Sequence, residues 1–171
     1  VNRVAAYAAN APLMGVPGAM PPPGGQGEWF RGAGSLRLRA AFWTPATEPR
    51  GTVILSPGRT EPIEKYYEAI GDMLARGFCV LAHDWRGQGL SARLLPDRLK
   101  GHARAVEEFL DDYQRLLDAF AERAPRPWIA VGHSMGAALN LLTLEAHEPR
   151  IDGALLVSPM LRIKTGKRSM W

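Results

Sequence analysis

The residues best suited to chemistry are Gly132-His133-Ser134-Met135-Gly136. They follow a short apolar run, Trp128-Ile129-Ala130-Val131, and precede a longer one from Ala137 to Leu144. A G-x-S-x-G pentapeptide between a strand and a helix is the setting that raises a serine hydroxyl above a sheet to attack a carbonyl carbon. The glycines have a steric role. A serine at the tip of so tight a turn takes a strained backbone conformation, and side chains two positions to either side would collide. Gly132 and Gly136 remove those collisions and let strand and helix approach closely. The helix that follows aims its free N–H groups at the same spot, where they favour negative charge. Two glycines around a serine also arise by chance, so the weight rests on the flanking strand and helix.

Positioning such a serine takes a sheet. Residues 1 to about 27 are rich in Ala, Pro and Gly, with Pro21-Pro22-Pro23-Gly24-Gly25 as the extreme, and predict a tail or loosely wrapped arm. Glu28-Trp29-Phe30-Arg31 and the alternating run Leu36 to Trp43 flank Gly32-Ala33-Gly34, which predicts a β-hairpin. Thr52 to Leu55, Phe78 to Ala82, Trp128 to Val131 and Ala154 to Val157 read as short buried strands. Tyr66, Tyr67, Ile70, Met73 and Leu74 recur at helical spacing before Gly77. Val106, Phe109, Leu110, Tyr113, Leu116, Leu117 and Phe120 mark one face of a longer helix. Strands alternating with helices predict an α/β fold, a mostly parallel sheet with helices on both faces. Such sheets bind ligands beyond the carboxyl ends of their strands. Pro57-Gly58-Arg59, the loop from Asp84 to Ser91, Ser134 and Ser158 all fall there.

Composition bounds the rest. A chain of 171 residues builds one sizeable core. Its formal net charge of +4 is modest and mostly scattered, so nucleic acid is not an expected partner. The single cysteine, Cys79, excludes an internal disulfide and falls in a predicted buried strand, as an inert packing residue. Four histidines and one cysteine show no metal-ligand spacing, and neither a dinucleotide fingerprint nor a P-loop is present. No metal and no cofactor are expected. No apolar run reaches bilayer-spanning length. The amino terminus lacks a starting Met, a basic n-region and a clear apolar segment. The expectation is a processed or partial chain without a secretory signal, located in the cytoplasm.

Taken together, these residues resemble the amino-terminal portion of an α/β-hydrolase of the bacterial lysophospholipase and monoacylglycerol-lipase group. Ser56-Pro57-Gly58-Arg59-Thr60-Glu61, Lys65-Tyr66, Asp84 to Ser91, Gly101-His102, Asp111-Asp112-Tyr113, the pentapeptide around Ser134 and Ser158-Pro159-Met160 carry the likeness, across about residues 28 to 171. Many members have His-Gly where this chain has Pro57-Gly58. The resemblance implies a serine hydrolase cleaving a lipid carboxylic ester, a lysophospholipid or a monoacylglycerol, through an acyl-enzyme on Ser134. It implies oxyanion donors at the N–H groups of Arg59 and Met135. It divides the chain into an arm (1–27), a partial core (28–160) and the start of a cap or lid (161–171).

The triad of that fold runs Ser, then Asp or Glu, then His in chain order. After Ser134 the acids are Glu145, Glu148 and Asp152, and the only histidine is His147. At about 1.5 Å per residue along the helix that follows Ser134, His147 falls roughly 20 Å from the serine. It cannot be the base. The resemblance implies two further strands bearing Asp and His, so the expectation is a fragment that is nearly inert alone. Its strand at 154–157 would then be a bare apolar edge, one of about six strands, prone to aggregation.

Two other readings stand beside this one: a serine hydrolase for another ester or a peptide, and a non-catalytic truncated fragment. Among the remaining polar residues, His133 is expected to pack in the pocket wall and His102 to open the long helix. Asp84 is expected to hold the glycine loop with Arg86. The Arg59 guanidinium either pairs with Glu61 or Glu64 or binds the phosphate of a lysophospholipid. The cluster of Arg162, Lys164, Lys167 and Arg168 is either solvated surface or a contact with anionic lipid at the inner face of the membrane.

Overall fold

The structure is a computed structural model and describes residues 7–162. Among the described residues, seven strands form one sheet: β1 (Tyr7–Asn10), β2 (Gln26–Arg31), β3 (Arg37–Trp43), β4 (Thr52–Ser56), β5 (Cys79–His83), β6 (Trp128–His133) and β7 (Gly153–Val157). Their spatial order is β1-β2-β3-β5-β4-β6-β7. The first three and the β3–β5 pair are antiparallel, and β5, β4, β6 and β7 run parallel. Three α-helices connect them: α1 (Tyr67–Ala75), α2 (Glu107–Phe120) and α3 (Met135–Glu145).

The apolar runs explain the layers. All five residues of β4 and all five of β5 are buried, as parallel strands covered on both faces must be. Side-chain alternation then splits the core in two. Leu38, Ile54 and Leu81 pack with Tyr113, Leu116, Leu117 and Phe120 of α2 and Met135 and Leu139 of α3. Ala41, Trp43, Leu55 and Val80 pack on the other face with Tyr67 and Ile70 of α1. Coverage then falls away across the sheet. In β6 only alternate residues are buried, and in β7 none is.

Several expectations change in detail. Tyr7–Asn10 adds a strand to the sheet, and residues 11–22 are tied down rather than loose. Ala11 is buried, the Pro12 carbonyl accepts from Arg39, and the Pro22 carbonyl accepts from the Trp43 indole. Backbone carbonyls anchor this arm together with Ala11 and with Leu13, which packs on the α1 face of the sheet, and an Ala-, Pro- and Gly-rich composition does not announce backbone hydrogen bonds. The first helix opens with a 3-10 turn over Ile63–Tyr66. His102 lies outside α2, on the loop before it. Residues 163–171, with Lys164, Lys167 and Arg168, fall outside the described residues, as does nearly all of the expected cap segment.

Candidate active site

Parallel register brings the carboxyl ends of four strands level. Ser56 of β4 pairs with Gly132 of β6, and His133 of β6 with Val157 of β7. Ser134 follows at once, with φ 51° and ψ −113°, and α3 begins at the next residue. A non-glycine residue at positive φ outside the left-handed basin is strained, and it persists only where its surroundings hold it. Here the Ser134 N–H donates to Val157 O at 3.0 Å, and its carbonyl accepts from Met160 N at 3.0 Å and Ala138 N at 3.1 Å. The backbone is therefore pinned on both sides. Its Oγ makes no hydrogen bond to any described residue.

The two glycines of the pentapeptide sit where a side chain would strike backbone. A Cβ on Gly132 would lie 2.7 Å from the Ala137 Cα, and one on Gly136 would lie 2.2 Å from the Ser56 carbonyl oxygen and 2.5 Å from that of Pro57. The amino terminus of α3 is thus pressed against the end of β4 and the loop after it. That loop, residues 57–60, is almost fully paired. Trp85 Nε1 donates to Pro57 O at 2.8 Å, and Gln88 Nε2 donates to Gly58 O at 3.1 Å. The Gly58 N–H donates to Glu61 at 2.7 Å and the Thr60 N–H to Gln88 Oε1 at 2.8 Å. Several backbone donors in this region have no partner among the described residues: the N–H groups of Arg59 and of the first turn of α3, Met135, Gly136 and Ala137.

Glu61 is the hub beneath them. Besides Gly58 it accepts from Lys65, from the Tyr66 hydroxyl at 2.5 Å, and it meets His133 Nδ1 at 3.0 Å. Burial alone would raise its carboxyl, but these partners outweigh burial and bring it down to about 2. Burial and the Glu61 carboxylate together push the Tyr66 phenol up. His133 is therefore a half-exposed partner of Glu61 rather than a packed wall residue. Deeper lies a second polar group. Ser56 Oγ donates to Asn140 at 2.9 Å and sits 3.4 Å from His83 Nε2. His83 is stacked edge-on against Trp85, and burial pushes its imidazole down to about 3, so it stays neutral.

Two pairings differ from those the sequence suggested. The fully buried Asp84 holds the glycine loop through Leu90 N–H at 2.8 Å, but its cation is Arg39 at 2.7 Å, not Arg86. Arg86 instead forks onto Asp112 at 2.6 and 2.8 Å. Arg59 meets neither Glu61 nor Glu64, since Glu64 is taken by Arg39. Its exposed guanidinium donates to Gly101 O at 3.0 Å. The Glu61 hub and the Ser56–His83–Asn140 cluster were not anticipated. The spacing of Glu61 and Lys65, one helical turn apart, was the available signal for the first. Among the described residues, no three His, Cys, Asp or Glu side chains gather as a metal site. No described helix is long and apolar enough to cross a membrane.

A largely parallel sheet with helices on both faces, and a strained serine between strand and helix at its carboxyl edge, define an α/β hydrolase. The chain belongs to the hydrolase family described as serine aminopeptidase, S33, whose model matches residues 47–170. It is 40% identical over 139 residues to lysophospholipase L2 of Escherichia coli K12, covering 78% of this chain and 39% of that protein. It is 36% identical over 111 residues to a monoacylglycerol lipase of Mycolicibacterium smegmatis, covering 64% and 38%. The chain spans about two fifths of the length of these relatives. Among solved structures, a thermostable carboxyl esterase of Bacillus coagulans superposes with a TM-score of 0.64 at 23% identity, covering 77% of this chain and 43% of that one. That likeness establishes the fold alone.

Proposed function

We propose that the chain carries the nucleophile and oxyanion side of a serine hydrolase that cleaves a lipid ester, a lysophospholipid or a monoacylglycerol. The observation that carries this reading is the Ser134 backbone, strained at φ 51° and pinned, with an unengaged hydroxyl at the amino terminus of α3, whose first N–H groups have no partner among the described residues. Ser134 Oγ attacks the ester carbonyl carbon and loses its proton to a base that no described residue supplies. The carbonyl oxygen becomes an oxyanion and accepts from the N–H groups of Arg59 and Met135. The bond to the alcohol breaks, and the glyceryl oxygen takes up a proton as it leaves. Water then attacks the acyl-enzyme, releasing the fatty acid and restoring Ser134. The names of the relatives favour a lipid ester. The description of the family favours a peptide amino terminus as the second reading.

A fluorophosphonate probe tests the chemistry in the complete gene product. It should label the wild type and leave Ser134→Ala unlabelled. Equal labelling of both removes the serine-hydrolase reading. Turnover of an aminoacyl anilide in preference to lysophosphatidylcholine and monoacylglycerol would select the peptide reading.

A further inference from the structure

Leu99 is 95% exposed, more than any other large apolar side chain among the described residues. It stands at the tip of a tight turn built by Asp97. The carboxylate accepts from Leu99 N at 3.0 Å and the Asp97 carbonyl accepts from Lys100 N at 3.1 Å. Arg98 and Lys100 flank the tip, both exposed, and Leu95 is exposed beside them. Of the other cations of the loop, Arg93 is occupied by the carbonyls of Gly87 and Gly89, and Arg104 makes an exposed 3.8 Å contact with Glu108. Asp97 is the only acid between residues 93 and 104, and its 3.6 Å contact with Lys100 is open to water.

The base of this loop is fixed to the candidate site. Gly101 O accepts from the Arg59 guanidinium, and Gly87 packs so closely that a Cβ there would lie 2.9 Å from His102 N. The tip therefore projects from a loop whose base is tied to Arg59, a residue whose own N–H is unpartnered. A protein partner would need roughly 800 Å² of contact on each side, far more than one protruding turn presents. A lipid surface needs only a shallow apolar anchor and cations at the level of its phosphates. Arg and Lys then keep their charges in the headgroup layer while leucine enters the acyl boundary.

We infer that residues 93–104 form a contact with an anionic lipid surface, Leu99 and Leu95 entering it and Arg98 and Lys100 binding its headgroup phosphates. The contact would hold the site at the surface from which a lipid ester is drawn, and to that extent rests on the proposed function. Co-sedimentation of the complete gene product with vesicles of phosphatidylcholine and phosphatidylglycerol tests it, with pure phosphatidylcholine vesicles as the control. Arg98→Gln/Lys100→Gln should weaken partition onto the anionic vesicles about twenty-five-fold, from about five-fold for each cation lost. Leu99→Ser should weaken it several-fold. Neither should alter hydrolysis of a dispersed short-chain ester. Wild-type partition of both variants overturns the inference, as does binding that is lost only with Lys164, Lys167 and Arg168. Equal binding of the wild type to neutral vesicles overturns the role of the cations. Loop-dependent binding without Ser134-dependent turnover upholds the contact and rejects the lipid-ester reading instead.

Discussion

Glu61 accepts hydrogen bonds from Gly58 N–H, Lys65 and Tyr66 and holds His133 while nearly excluded from water, so one carboxylate ties the loop bearing Arg59 to the residue before Ser134. It reaches the candidate site through that loop and through His133, the residue before Ser134. Glu61→Gln should therefore lower kcat about ten- to hundred-fold with little change in KM, the scale of a hydrogen bond to a charged group. Its pH signature separates this role from bulk packing. The folded carboxyl sits near 2 against an ordinary 4.5, so the unfolded chain binds the proton first. The stabilisation is complete above about pH 4.5 and is lost as pH falls towards 2. Denaturant midpoints between pH 5 and pH 2.5 should fall less steeply in Glu61→Gln. Some slope remains, because Arg150 holds Glu148 near 2 as well. An unchanged acid slope would remove Glu61 from this account. Sequence spacing put Glu61 and Glu64 within reach of Arg59, but Thr60 turns the backbone at φ 63° and Arg59 leaves towards Gly101. Reach is legible in a sequence; direction is set by single torsions.

At the scale of elements, the decisive contact is α3 against the end of β4. Gly136 approaches the Ser56 and Pro57 carbonyls so closely that a methyl group must push strand and helix apart. Gly136→Ala should cost about 1–3 kcal/mol through overpacking. It should also displace the Met135 N–H and cut probe labelling of Ser134 more than the stability loss accounts for. Labelling equal to wild type at full folding would show that the helix terminus has no part in the site. This contact was legible, because glycines two residues to either side of a serine, between a strand and a helix, mark a turn too tight for side chains. So were β4 and β5, whose unbroken apolar runs match complete burial. The strand at Tyr7–Asn10 was not. Its sequence, Tyr-Ala-Ala-Asn, has no apolar alternation, and it pairs at the sheet edge through backbone groups. His102 was misplaced for a related reason: the amphipathic pattern of α2 starts at Val106, and only the fold shows that the preceding residues pack on Gly87.

Across the whole molecule, burial is lopsided. The sheet is sealed at β4 and β5 and bare at β7, where Leu155 is 57% and Val157 43% exposed. Leu141 and Leu142 of α3 and Leu161 after β7 are exposed as well. β7 also offers unpaired backbone groups along its outer edge, since β6 is its sole neighbour in the described sheet. An apolar edge with free hydrogen-bonding groups is a template for pairing with another chain. Contiguous apolar surface beside it adds to the drive for association. The 171-residue chain expressed alone should therefore bind a dye specific for exposed apolar surface and associate as its concentration rises. Leu155→Lys/Val157→Lys places charges on that edge without touching the buried face of β6, and should raise solubility while leaving the far-ultraviolet dichroism unchanged. Light scattering against concentration, with and without the two lysines, is the direct measurement. A monomeric parent chain with a sharp melt and no dye binding would show that β7 is protected in a way its exposure does not reveal.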